Sequence, residues 1–187
     1  MKIYWVDQSI NYDGSQLTPH WIFKNFNLVG NAMVAFVGGC RVSPEHMVDL
    51  ADLKEGKTIY SEKMLHFIAE FFDKNLSETI LLQRLFVSLV QQEIVYRAKT
   101  TTLIRAGNDL FDGEAKLSVS IATASPVSTL MHYGINISSQ NTPVKTKGLA
   151  DYAIDPKTFA ISLLETMKNE METVATARSK VRAVHGS

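Results

Sequence analysis

The chain has 187 residues, 45% hydrophobic and 20% charged, the balance of one globular domain (residues 1–187) able to bury a core. Its 19 basic and 19 acidic residues cancel, which argues against a protein held mainly by nucleic-acid phosphates and leaves room for a small anion. A single cysteine excludes a disulfide framework and a Cys-rich zinc site, and no apolar run approaches the ~20 residues of a membrane span.

Met1 to Asp7 is too short and mixed for a signal peptide, so a reducing, cytoplasmic compartment is expected. Residues 2–6 suit a first strand, and Asn11-Tyr12-Asp13-Gly14-Ser15 reads as a turn. Thr18-Pro19 is a cap-plus-proline signal for a short helix to Phe26. Ala32–Val37 is a buried strand ended by Gly38-Gly39, and Ser43-Pro44 repeats the helix-start signal. Met64, Leu65, Ile68, Phe71 and Phe72 recur at helical spacing, predicting a helix over 61–73. A second helix, capped by Ser77, is predicted over 77–97. The period then changes to strand at Thr101–Arg105, with a hairpin turn at Asp112-Gly113. Strands follow at Lys116–Ala124 and Thr129–Ile137, and Asp155-Pro156 opens a last helix over 156–178. The order predicts an α+β fold: a mixed, mainly antiparallel sheet packed with helices.

The chemistry-bearing stretch is Asn108 to Asn136. Alternation places Lys116, Ser118 and Ser120 on one strand face and Leu117, Val119 and Ile121 in the core. On the next strand His132, Gly134 and Asn136 share a face opposite Met131, Tyr133 and Ile135. A hairpin with Ser118 opposite Gly134 joins both polar sets into one site for a carboxylate or phosphate, with glycine admitting the ligand. A one-residue slip would separate the sets. The same alternation also describes an ordinary sheet with one solvated face.

Asn108-Asp109-Leu110-Phe111, Lys116-Leu117 and Gly134-Ile135-Asn136-Ile137 resemble the catalytic core of biotin protein ligases, with their N-D-L-Y, K-L-x-G-I and G-x-N segments. The lysine–serine and histidine–glycine–asparagine patterns are also similar to lipoate ligases and octanoyl transferases. Gly38-Gly39-Cys40-Arg41 resembles the glycine- and arginine-bearing loop of those families, and Gly148–Tyr152 the segment after their sheet. The whole chain resembles an uncharacterised archaeal and bacterial family of the same superfamily. Its marks are Tyr12–Ser15, His20-Trp21 and the block from Lys116 to Ser128. Differences stand beside the matches: the extended G-R-G-R-x-G loop is reduced to Gly38, Gly39 and Arg41. Val119 and Ser120 replace a glycine, Tyr133 separates His132 from Gly134, and no cysteine follows Asn136.

The resemblance implies a class II synthetase or biotin/lipoate ligase-like fold and an enzyme that activates or transfers a small carboxylic (acyl) group through an acyl-adenylate. Lys116 would be catalytic. Gly38, Gly39, Arg41, Asn108, Asp109, Ser118, Ser120, His132, Gly134 and Asn136 would bind ligand. ATP and Mg²⁺ are the cofactors it implies; no residue of this chain is assigned as a metal ligand. The partners would be a small carboxylate and an acceptor protein, without nucleic acid or membrane, and a homodimer is compatible with all of this. The alternative is a non-catalytic small-anion or acyl-ligand module on the same fold. Three weaker signals remain. Cys40 beside Arg41 is either a low-pKa thiol or a buried side chain. Glu45, His46, Asp49 and Asp52 either bind a hard cation or answer a helix dipole. His20 sits on a capped helix.

Overall fold

The computed structural model describes residues 1–99, 102–138 and 144–184. Its centre is a five-stranded sheet ordered β1-β2-β3-β8-β7, built from β1 (Lys2–Trp5), β2 (Ala32–Val42), β3 (Ile59–Phe71), β7 (Ser118–Ala124) and β8 (Thr129–Asn136). β1 runs parallel to β2 and every other pairing is antiparallel, giving the mixed, mainly antiparallel sheet of an α+β fold. A smaller sheet joins β4 (Leu103–Ala106), β5 (Asp109–Asp112) and β6 (Ala115–Lys116). The first residue expected in β4, Thr101, lies outside the described residues.

The sheet separates two cores. Leu65, Phe67, Ala69 and Phe71 of β3 join Met131, Tyr133 and Ile135 of β8 beneath α3 (Leu76–Ala98) and α4 (Pro156–Ser179). Val34 and Phe36 of β2 pack with Met64 and Ile68 beneath the segment from Val6 through α1 (Trp21–Phe26). Both long helices start from side-chain caps. Asp155 accepts from Thr158 N–H, as its place before Pro156 suggests. Asn75 and Glu78 form a reciprocal capping box, so α3 starts before Ser77.

The predicted helix over 61–73 is the strand β3. It is hydrogen-bonded on both sides and covered on both faces, so its residues read as an almost continuous apolar run whose spacing imitates a helix. Gly38-Gly39 does not end β2; the strand passes through both to Val42, with a bulge between Gly38 and Cys40. At the other signals, His20 takes a left-handed conformation and α1 begins at Trp21 rather than at Pro19. Ser43-Pro44 opens only a 3₁₀ turn, followed by the short helix α2 (Leu50–Lys54).

Gly38 has a packing reason to be glycine. A Cβ there would lie 1.9 Å from the Ile10 carbonyl oxygen. The segment Ile10–Tyr12 crosses the strand at that point. Ile10 N–H bonds Val37 O, Tyr12 N–H bonds Gly39 O, and Arg41 N–H bonds Tyr12 O. Gly39 N–H donates to Asn11 Oδ1. This crossing delivers the Tyr12 ring to the face of β8.

Candidate functional site

A cavity of about 620 Å³ opens on the sheet face away from α3 and α4. Its floor includes Tyr12, Met64, Val119, Ile121, His132 and Asn136; one wall runs from His46 to Tyr60, and Asn108, Asp109 and Lys116 form another. Lys116, His132 and Asn136 therefore share a cavity, but not by the expected pairing.

The hairpin register is shifted by one residue: Ser118 faces Ile135, Val119 faces Gly134 and Ile121 faces His132. Val119 and Ile121 thus share the His132 face, while Ser118 and Ser120 turn towards α3. Lys116 escapes the separation because it belongs to β6, paired with Phe111. The chain changes sheets at Leu117, whose N–H bonds Leu110 O and whose carbonyl accepts from Asn136 N–H. That step restores Lys116 to the cavity, and Asn136 Nδ2 donates to its carbonyl at 3.4 Å.

The serines are committed elsewhere. Ser118 Oγ accepts from Leu110 N–H at 3.0 Å; Ser120 Oγ accepts from Gln83 Nε2 at 2.8 Å and donates to the Asn108 carbonyl at 2.7 Å. Both touch the cavity margin, yet these bonds tie β7 to its surroundings. Gly134 does not admit a ligand either. A Cβ there would meet Met64 Cε at 2.9 Å and His132 Cε1 at 3.3 Å, so its missing side chain accommodates the histidine ring. Gly38, Gly39 and Arg41 line no part of this cavity; they are strand residues at the Ile10–Tyr12 crossing.

Lys116 Nζ is 2.6 Å from Asp109 Oδ2, both side chains about two-thirds buried or more. Burial pushes the Asp109 carboxyl above its ordinary range, while Lys116 draws it back. Across the cavity, Asp52 adds to the rise by like-charge repulsion. Asn108 is held by Arg84 Nε, which donates to Oδ1 at 3.2 Å. The other cavity lysine, Lys57, pairs with Asp52 and Glu55.

His132 is 3% exposed, and its Nε2 lies 3.1 Å from His66 Nδ1. Tyr12 stacks on its ring at 3.7 Å, 7° from parallel, and Phe36 stacks on His66. Burial depresses both imidazoles, His66 to about 4, with the nearby Gly38 and Gly39 backbone drawing His66 partly back. His132 is held well below its ordinary value by burial, and further by His66. Both rings are therefore neutral near pH 7. Tyr12 and His66 were not among the expected site residues. Once β3 is a strand, alternation with Met64 and Ile68 places His66 on the cavity side.

The weaker candidates resolve into structural roles. Cys40 is buried, and burial pushes its thiol up to about 12, far from a reactive thiolate. Asp49 caps α2, accepting from Ala51 and Asp52 N–H groups. His20 N–H donates to both oxygens of buried Glu70, at 2.9 and 3.1 Å, and Ser128 Oγ donates to the same carboxylate. Those bonds join two of the sequence marks, His20-Trp21 and the block ending at Ser128. Among the described residues no helix is long and apolar enough to cross a membrane.

A family model described as "Domain of unknown function (DUF366)" matches residues 1–182. An uncharacterised protein of Methanocaldococcus jannaschii, MJ0805, is 35% identical over 159 residues, covering 82% of this chain and 72% of that protein. The structure of a protein of unknown function from Pyrococcus horikoshi superposes with a TM-score of 0.90 at 34% identity, covering 98% of this chain and 99% of that one. Two more distant structures share the fold. Biotin protein ligase from Aquifex aeolicus in complex with biotin and ATP has a TM-score of 0.64 at 14% identity, covering 91% of this chain and 70% of that one. A T. acidophilum protein, Ta0514, described as a putative lipoate protein ligase with bound lipoic acid, has a TM-score of 0.61 at 10% identity, covering 90% and 86%.

Proposed function

The chain belongs to the DUF366 family, and from that premise we propose that it binds a small carboxylic acid in the cavity beside Lys116 and activates or transfers the acyl group to an acceptor, which the resemblance makes a protein. The observation that carries the reading is the Lys116–Asp109 pair at the wall of a cavity whose floor is His132 and Asn136, on a fold shared with biotin and lipoate ligases. A lysine held by a partly buried carboxylate is already oriented. When an anion takes over part of that contact, the cation opposes negative charge developing on the acyl oxygens, in surroundings less screened than water. Asp109 keeps the ammonium in place, and Asn136 holds the backbone beside it, bonding the Lys116 and Leu117 carbonyls.

Carried over from the relative bound to biotin and ATP, the reading makes ATP the second substrate; Mg²⁺ and an acyl-adenylate intermediate are what the sequence resemblance adds. The residues offered for a nucleotide loop do not fit that task, since Gly38, Gly39 and Arg41 lie within β2 and outside the cavity. The position of Gly38, Gly39 and Arg41 within β2 favours a second reading, a non-catalytic module that binds a small anion or acyl ligand. Pyrophosphate release from ATP, tested with a panel of small carboxylic acids, separates the two. Release with one acid, lost in Lys116→Ala, supports the enzyme. Binding of an acid without release supports the module.

A further inference from the structure

Asp109 stands just after a hairpin tip. β4 and β5 are joined by the two-residue turn Gly107-Asn108, with Ala106 opposite Asp109 and Gly107 in the left-handed region that such a turn favours. A tip of this kind has little rigidity of its own. From outside the hairpin, Ser120 Oγ donates to the Asn108 carbonyl at 2.7 Å, and Arg84 Nε donates to Asn108 Oδ1 at 3.2 Å. The backbone N–H of Ser120 also bonds the Asp109 carboxylate. Asn108 and Asp109, neighbours in the chain, are thus fastened to one residue of β7.

A buried glutamine fixes the direction of these bonds. Gln83 of α3 is 1% exposed, and its Nε2 lies 2.8 Å from Ser120 Oγ. The Asn108 carbonyl can only accept, so the Ser120 hydrogen points at it and the hydroxyl receives its second bond from Gln83. That sets the glutamine amide with Nε2 to the serine and leaves Oε1 enclosed without a partner. An apolar side chain in this slot would avoid the unpaired oxygen, so the glutamine is accounted for by the serine it holds. Ser118 differs. Its partner Leu110 is fully buried and its carbonyl is held independently by the Leu117 N–H, so that bond anchors the strand rather than the tip.

We infer that Ser120 and Gln83 are positioning residues of the proposed site: they fix the tip that carries Asp109, and through Asp109 they hold the Lys116 ammonium at one place on the cavity wall. The effect on binding rests on the carboxylate reading above; the effect on Asp109 does not. A tip released from Ser120 leaves the Lys116–Asp109 contact present but variable, so an arriving anion has to order it.

The test uses the full chain with Ser120→Ala and Gln83→Met, and Gln83→Met decides alone if Ser120→Ala does not fold. Carbon-13 carboxyl resonances of the aspartate-labelled protein follow the titration of Asp109. In either variant its midpoint should rise, because a looser contact with Lys116 stabilises the charged carboxylate less. Straight-chain carboxylates from acetate to octanoate are then titrated into each protein. The tightest of them should bind about fivefold more weakly to either variant, and within about twofold of the unaltered protein to Ser118→Ala. In a Lys116→Ala background, Ser120→Ala should add less than about twofold, since it acts through that ammonium. An Asp109 midpoint unchanged in the variants overturns the inference, as does binding that is unchanged in them or falls equally in Ser118→Ala. If no carboxylate binds the unaltered protein, the carboxylate reading fails, while the Asp109 titration still decides this one.

Discussion

Replacing Gly38 by alanine should unseat Tyr12 from His132. The added Cβ would stand 1.9 Å from Ile10 O, 2.5 Å from Ile10 C and 3.1 Å from Asn11 N, all backbone atoms that no side-chain rotation can clear. The crossing segment must lift. It is fastened by the bonds Ile10 N–H to Val37 O, Tyr12 N–H to Gly39 O, Arg41 N–H to Tyr12 O and Gly39 N–H to Asn11 Oδ1. Losing two or three of these at ~1 kcal/mol each, with part of the Tyr12 packing, gives a destabilisation of about 3 kcal/mol. Urea unfolding followed by tryptophan fluorescence measures it, and ring-to-ring nuclear Overhauser contacts report whether Tyr12 still covers His132. Gly39→Ala is the control. Its Cβ would meet the Asn11 side chain at 3.2 Å, so a loss under ~1 kcal/mol is expected. A loss below ~1 kcal/mol in Gly38→Ala, with the Tyr12–His132 contact intact, would refute the reasoning.

Three further outcomes are expected. The His66 imidazole is depressed to about 4 from an ordinary 6.5, so the unfolded chain binds the proton more readily and stability falls as pH drops through that window. His66 alone removes about 2 kcal/mol between pH 7.5 and pH 5, His132 acts in the same direction, and urea midpoints at the two pH values should show it. Ser118→Ala deprives the buried Leu110 N–H of its acceptor, so it should destabilise by ~1–3 kcal/mol while leaving acid binding within about twofold, as calorimetric titration can check. Lys116→Ala should weaken acid binding by at least ~tenfold and also cost about 1 kcal/mol of stability, because Asp109 is left buried without its cation; adding Asp109→Asn should recover most of the stability and none of the binding.

The fold class was legible because turn and cap signals such as Asp112-Gly113 and Asp155-Pro156 are local: each depends on a few residues that carry their own hydrogen bonds. β3 was not. A central strand covered on both faces loses the alternation that distinguishes strand from helix, and Met64, Leu65, Ile68 and Phe71 then fit either period. The candidate site was legible in membership more than in construction. Lys116, Asp109, His132 and Asn136 meet at one cavity. The route by which they meet depends on Leu117, where the chain leaves one sheet and enters the other, and a single long strand over Lys116–Ala124 conceals that step. Ser118, Ser120 and Gly134 match the expected residue types yet serve β7, Asn108 and the His132 ring. Nothing local marked Tyr12 or His66 as neighbours of His132, because the contact depends on a chain crossing permitted by Gly38.

The proposed function stands or falls on whether an acid binds beside Lys116. It is tested most directly by titrating the panel of small carboxylic acids into the ¹⁵N-labelled full chain and following amide and histidine resonances. Saturable shifts are expected with at least one acid, centred on Asp109, Lys116, His132 and Asn136 and weakened at least ~tenfold by Lys116→Ala. No saturable shift with any acid, or shifts that Lys116→Ala leaves unchanged, would contradict it.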